Sequence, residues 1–308
     1  MPIASDSRDG GIAAMNTDVQ DSIYGLMSAT SMASYRCTSK ANNRALQDYM
    51  KHRKTVMLAQ FVTNVPNFDN MLRVTNSVLS GSLVVRLLFP RLNDMWNLKD
   101  MDLYTTVERS TEVVDFLVAD QYKVADPSIV ANDYNRTTVK SVVTLLKGTR
   151  KVNVIASTTA SPLYPIFHFH STAVMNYMSA DILFSAYPAY TTAFSSIINA
   201  SNLRNGKFNV KFCQALVKYS KRGFAVVACP AHEYVEDTVS PDKCHDPLEC
   251  PQHIRNTHDE GCLRISFDSA VNAFEVENGI DESTIVWCIG GNCCTGTRGE
   301  IEPFVLIA

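Results

Sequence analysis

Long hydrophobic runs are missing from this chain of 308 residues. A membrane-spanning helix needs about 18 consecutive apolar residues, and the longest apolar stretch, residues 83–89, is already broken by Arg86. No membrane partner is expected. An excess of either charge is also missing. Lys and Arg number 28 against 31 Asp and Glu, the net charge is −3, and the pI is about 6.2. Bulk attraction to a polyanion is excluded on that balance, so charge does not indicate nucleic acid as a partner. The first residues hold no basic segment followed by an apolar one, so no secretory leader is expected. An even cysteine count is lacking too: there are nine. With no leader in view, a disulfide framework is a poor reading, and a cytoplasmic or nuclear location is expected.

What is present is a globular balance, 46% apolar and 19% charged, enough for a sizeable core. Residues 1–40 are rich in Ser, Ala, Thr and Asp without a sustained period, and are expected to form a flexible N-terminal arm with a short helix near 22–32. Residues 41–228 are expected to form the core, and 229–308 a Cys/His-rich C-terminal region. Helical patterns cover 41–60, 108–122, 169–179 and 211–221, with a further helix from Asp69 after Pro66 and a short buried one over 83–89. Strand patterns cover 78–80, 101–106, 224–228, 263–267 and 284–289. A hairpin is expected over 141–155. The order is α+β rather than a regular βαβ alternation.

One constellation carries chemistry. Gly81-Ser82 closes a short apolar strand, and seventeen residues later comes Asp100-Met101-Asp102-Leu103-Tyr104. On a strand, Asp100 and Asp102 project to one face. Two adjacent carboxylates repel, and a divalent cation relieves them. Mg²⁺ takes one or two carboxylates together with substrate phosphates. A Gly-Ser turn in front of such an ion lets backbone N–H groups approach a phosphate. The plain structural alternative has Asp100 capping the loop, Asp102 paired with Arg86, Arg91 or Lys151, and Ser82 as an N-cap.

This arrangement resembles the nucleotidyltransferase fold, whose signature is Gly-Gly or Gly-Ser followed by Asp-x-Asp on the next strand. The longer frame from Val78 to Tyr187 includes Lys-Val-Asn-Val-Ile-Ala-Ser, Ser161-Pro162-Leu163 and Phe169-His170-Ser171-Thr172. With Trp287-Cys288-Ile289-Gly290-Gly291, it is similar to a set of uncharacterised fungal, mainly mushroom-type, proteins. The likeness extends over about three quarters of the chain. It implies a nucleotidyltransferase-like mixed sheet flanked by helices, with a Cys/His-rich C-terminal extension. It further implies that Gly81 and Ser82 contact a nucleoside triphosphate and that Asp100 and Asp102 hold Mg²⁺ as the catalytic pair. Lys151, Asn153 and His170 complete the expected nucleotide site, and the acceptor is unspecified. Active members of the fold add a third carboxylate on a neighbouring strand. Here that strand is expected to carry Asn153, which cannot act as a base. The resemblance therefore implies either an Mg-dependent nucleotidyltransferase or a pseudoenzyme kept as a binding module. Asp181 and Asn176 are candidates for a missing acid or base.

His168 and His170 stand two residues apart among aromatics, an arrangement that on a strand gives both rings one face. Lys147, Arg150 and Lys151 form one basic group, and Lys218, Lys221 and Arg222 another. Each is a candidate phosphate contact or a solvated cap. In the tail, Cys244, Cys250, His253 and Cys262 offer four ligands for a possible Zn²⁺ site, although the spacing matches no standard finger. A polar loop with buried or paired thiols is the alternative.

Overall fold

The helices of the first quarter begin where short polar side chains turn back onto the backbone. The computed structural model describes residues 11–89, 98–126, 137–200, 210–228, 248, 250–268, 284–290 and 303–307. Asn16, Ser28, Ser39 and Asn64 each accept a backbone N–H from the first turn of the helix they precede. The four helices are α1 (Thr17–Tyr24), α2 (Ala29–Arg36), α3 (Lys40–Leu58) and α4 (Val65–Thr75). Pro66 lies in the first turn of α4, where its missing N–H leaves no bond unmade. It opens the helix rather than ending the previous one. Asp69, where the sequence pattern starts this helix, lies inside it. Its carboxylate takes the buried Lys54 ammonium at 2.8 Å, and that ammonium also donates to the Ala180 carbonyl at 2.7 Å.

The loose-arm expectation for residues 1–40 fails over 11–40. Tyr24, Ala29 and Met32 are buried in the same core as α3, and the Tyr24 ring lies 5.2 Å from that of Tyr49. The sequence offers one short helix near 22–32, where the chain forms α1 and α2, and it does not show their packing because few side chains carry the burial. Residues 1–10 lie outside the described set.

The chain continues with β1 (Val78–Ser80), α5 (Ser82–Leu88), β2 (Asp100–Thr105), α6 (Ser110–Ala119), β3 (Lys123–Val124), β4 (Val139–Lys147) and β5 (Arg150–Ser157). Then come β6 (Asn176–Met178), β7 (Ile182–Ser185), α7 (Pro188–Thr192), β8 (Ser195–Ile197), α8 (Val210–Ser220) and β9 (Ala225–Val227). The last described elements are β10 (Arg255–Asn256), β11 (Leu263–Ser266), β12 (Ile285–Cys288) and β13 (Phe304–Ile307).

An eight-stranded sheet runs β11-β7-β6-β1-β2-β5-β4-β3. It is mixed: β2 and β5 are parallel, and the other pairs are antiparallel. Side chains alternate between its faces. Leu79, Met101, Leu103, Val152 and Val154 point into a core shared with α3, α4, α5 and α6. Val78, Tyr104, Ile155, Tyr177 and Phe184 point into a second core with Phe167 and Trp287. The protein is thus α+β, a large mixed sheet flanked by helices. No helix among the described residues is long and apolar enough to cross a membrane.

One further reading changes. Residues 169–179 are not a helix. A 3-10 turn at Thr172–Val174 leads directly into β6. Every residue from 171 to 180 is buried, so periodicity had no exposed face with which to tell helix from strand. The C-terminal region, for which the sequence leaves packing on the core sheet open, supplies strands to two sheets. β11 pairs with β7 at the end of the main sheet, while β12 joins β10 and β13 in a separate three-stranded sheet.

Candidate functional site

The turn after β1 is built around a glycine. Gly81 has φ 73° and ψ −149°, a region that is nearly closed to side chains. A Cβ there would lie 2.9 Å from Asp102 Oδ2. The Gly-Ser turn and the Asp-x-Asp strand are therefore in direct contact. Antiparallel pairing of β1 with β2 sets Ser80 opposite Asp102.

The sheet extends that row. Asp102 is level with Asn153 on β5, and Asn153 with Thr144 on β4. Thr144 Oγ1 donates to Asn153 Oδ1 at 2.9 Å. Asn153 Nδ2 then donates to Asp102 Oδ1 at 2.8 Å. With its carbonyl satisfied by Thr144, the amide presents its N–H to the carboxylate. Burial raises the Asp102 carboxyl, the Asn153 hydrogen bond opposes that, and Asp100 raises it further. Asp100 is level with Lys151, and Lys151 Nζ stands 3.9 Å from its Oδ2 in a half-exposed pair that contributes little.

α8 brings a second cation. Burial lowers the Lys218 ammonium and the Arg222 charge lowers it further, whereas Asp100 and Asp102 both pull it up. The neighbouring Tyr219 ring lies 5.3 Å from that of His170, whose Nδ1 is 2.9 Å from Ser171 Oγ. Burial, then the Lys218 charge, brings the His170 imidazole down to about 4. The structure thus gathers Gly81, Asp100, Asp102, Lys151 and Asn153 directly, and links His170 to them through Tyr219 and Lys218. Ser82 opens α5 beside the turn and is buried.

Other candidates go elsewhere. His168 does not share a face with His170. It sits in a 3-10 turn, Ile166–His168, with its ring 4.7 Å from that of Tyr164. Asp181 is taken by a forked pair to Arg73, with its shortest contact at 2.6 Å, and Asn176 Nδ2 is tied to the Ala173 carbonyl. The Asp181 carboxylate is thus committed to Arg73, and Asn176, whose backbone carbonyl accepts from Ser80 Oγ, is an amide with no basic atom. Lys147 pairs with Asp120 at 3.2 Å, and Arg150 lies 5.3 Å from the centre of the Phe61 ring.

Of the possible zinc ligands, Cys244 lies outside the described residues. Cys250 is buried, and the His253 N–H donates to the Cys250 carbonyl. The Cys262 thiol is 3.3 Å from Asp259 Oδ1, and burial with that charge pushes it far above the usual thiol range. Among the described residues no three His, Cys, Asp or Glu side chains are grouped so as to hold a metal ion.

Thr144, Lys218 and Tyr219 complete the site's surroundings. Thr144 was readable from hairpin register once Asn153 was fixed. Lys218 stood in one of the two basic groups of the sequence, but Tyr219 carries no local signal.

The histidines give a pH prediction. Burial holds both His168 and His170 at about 4, against an ordinary value of 6.5. Between those values the unfolded chain binds more protons, so stability is full above 6.5 and falls as pH drops toward 4. Each histidine contributes up to about 1.4 kcal/mol per pH unit in that window. Urea unfolding of the wild type and of a His168→Gln/His170→Gln variant between pH 7 and 4.5 measures the difference. Equal acid sensitivity in the two contradicts the assignment.

Comparison of the chain with protein-family models, with curated proteins and with solved structures returns no match.

Proposed function

We propose that this protein has a nucleotidyltransferase-like core that binds a nucleoside triphosphate and does not transfer it. The Gly81 turn, packed on Asp102, supports the phosphate-binding part. The backbone there takes a conformation that side chains avoid, which leaves its N–H groups unshielded by a Cβ, while Asp102 Oδ2 occupies the space a Cβ would take. Lys151 and Lys218 add positive charge around the aspartates.

A single observation carries the non-catalytic part: the Asn153 amide donates to Asp102 Oδ1. By the resemblance to nucleotidyltransferases, an active member would carry its third carboxylate on this strand. The Asn153 amide accepts from Thr144 and donates to Asp102, and has no basic atom to take a proton from an attacking hydroxyl. The donor set of Asp100 and Asp102 fits one hard cation sharing phosphate oxygens, since Mg²⁺ accepts one or two carboxylates in that role. When bound, Mg²⁺ would neutralise charge between those carboxylates and the phosphates. The chain's own residues hold the phosphates at the turn, fix Asp102 through Asn153, and leave the nucleophile without a base.

The test uses α-labelled ATP, GTP, CTP and UTP with Mg²⁺. Binding is expected without release of pyrophosphate. Asn153→Asp is expected to tighten Mg²⁺ binding at least tenfold, because a third carboxylate then faces the cation. Pyrophosphate release by the wild type, lost in Asp102→Asn, sinks the non-catalytic reading.

A further inference from the structure

The segment from Phe167 to Ser171 is pinned along its backbone. Asn199 Nδ2 donates to the Phe167 carbonyl at 3.2 Å, and the Asn199 N–H donates to the His170 carbonyl at 3.0 Å. Ser171 forms an antiparallel bridge with Ile198. Two side chains of the segment reach the surroundings of the paired aspartates from different sides. Tyr104 stands two residues beyond Asp102 on β2, on the same face of the sheet and about 7 Å along the strand. The Phe169 ring meets the Tyr104 ring edge-on, with centres 6.0 Å apart. The His170 ring lies 5.3 Å from that of Tyr219, the neighbour of Lys218 on α8. Phe169 and His170 are both only partly buried.

The proton on His170 can be placed by hydrogen-bond accounting. Its Nδ1 is 2.9 Å from Ser171 Oγ. Ser171 is 1% exposed, and its hydroxyl has no other partner among the described residues. A buried hydroxyl left without an acceptor is costly, so Ser171 donates to Nδ1. The neutral ring then carries its own proton on Nε2, and that N–H has no partner among the described residues. Burial, then the Lys218 charge, keeps the imidazole uncharged at neutral pH. A phosphate calls for cations, which Lys151 and Lys218 supply beside the aspartates. A flat apolar ring next to a neutral N–H donor suits a nucleobase instead. The ring offers a face for stacking, and the donor meets a ring nitrogen or carbonyl at the edge of the base.

We propose that the base of the bound triphosphate lies against Phe169 while His170 Nε2 donates to an acceptor on its edge. The proposal rests on the reading of the Gly81–Asp102 site as a triphosphate site, and assigns the residues that recognise the nucleoside there.

Calorimetry on the full chain with Mg²⁺ compares ATP, GTP, CTP and UTP with inorganic tripolyphosphate, which has the phosphates and no base. The best nucleotide is expected to bind at least tenfold more tightly than tripolyphosphate. His170→Phe keeps a flat ring and removes the donor. It is expected to weaken that nucleotide about tenfold and to leave tripolyphosphate unchanged. His170→Gln, with an amide N–H at the end of its side chain, is expected to recover part of the loss. Should these variants not fold, ¹⁵N spectra of the histidine rings in the wild type give the answer. His170 is expected to be protonated on Nε2, and to shift on adding the nucleotide but not on adding tripolyphosphate. Tripolyphosphate binding as tightly as every nucleotide overturns the base site and leaves the phosphate site standing. So does an equal loss of both ligands in His170→Phe, no loss of either, or a His170 signal that the nucleotide does not move. Failure of all five ligands to bind folded wild type overturns the triphosphate reading, and the base site with it.

Discussion

Gly81→Ala is expected to destabilise the fold by about 2–3 kcal/mol and to abolish triphosphate binding. Two independent costs add. The residue's φ of 73° with ψ −149° lies in a region where a side chain costs about 1–3 kcal/mol. The new methyl would also stand 2.9 Å from Asp102 Oδ2, so the carboxylate or the turn must shift. Moving Asp102 strains its bond with Asn153. Urea unfolding measures the first effect and calorimetry with Mg-triphosphates the second. A variant as stable as the wild type would show that the turn tolerates a side chain, and would remove the physical basis for close phosphate approach.

Arg255→Ala is expected to cost about 3–5 kcal/mol, the usual penalty for breaking a buried charged pair from one side. Arg255 is 1% exposed. Its guanidinium pairs with Asp259 and donates to the carbonyls of Leu248 and Ala186. It also lies against two aromatic rings, 4.8 Å from the centre of Tyr187 and 5.5 Å from that of Trp287. Trp287 Nε1 in turn donates to the Tyr187 hydroxyl at 3.0 Å. These contacts join the chain after β7 to the small sheet of β10 and β12, so removing the guanidinium leaves Asp259 partly buried without its partner. Arg255→Lys is also expected to be damaging, because one ammonium cannot replace the fork. Circular dichroism during urea unfolding reads the loss. A change below about 1 kcal/mol would mean that the cluster is not a stability centre.

Much of the main sheet was legible in the sequence because its strands are short, apolar and bounded by turn residues. The hairpin of β4 and β5, the Gly81 turn and the Asp100–Asp102 strand all follow from local pattern, and β5 duly brings Asn153 level with Asp102. What local pattern could not supply was partnership across the fold. Asp69 has the chemistry of a helix cap, yet Lys54 claims it from α3. Asp181 has the chemistry of a missing base, yet Arg73 claims it. His168 and His170 look like a pair, but a 3-10 turn sends their rings to Tyr164 and Tyr219. Lys218 reads as an ordinary helix-end cation, and only the fold lets the charges of Asp100 and Asp102 act on it. In the tail, Cys262 is one of four possible zinc ligands by sequence, and its thiol lies 3.3 Å from Asp259 Oδ1.

The central claim is that a triphosphate binds where the Gly81 turn meets Asp100 and Asp102. Calorimetry of ATP, GTP, CTP and UTP with and without Mg²⁺ tests it most directly, on the wild type and on an Asp100→Asn/Asp102→Asn variant. The account predicts binding of at least one triphosphate by the wild type, dependent on Mg²⁺ and lost in the double variant. No binding by folded wild type, or equal binding by wild type and variant, would contradict it.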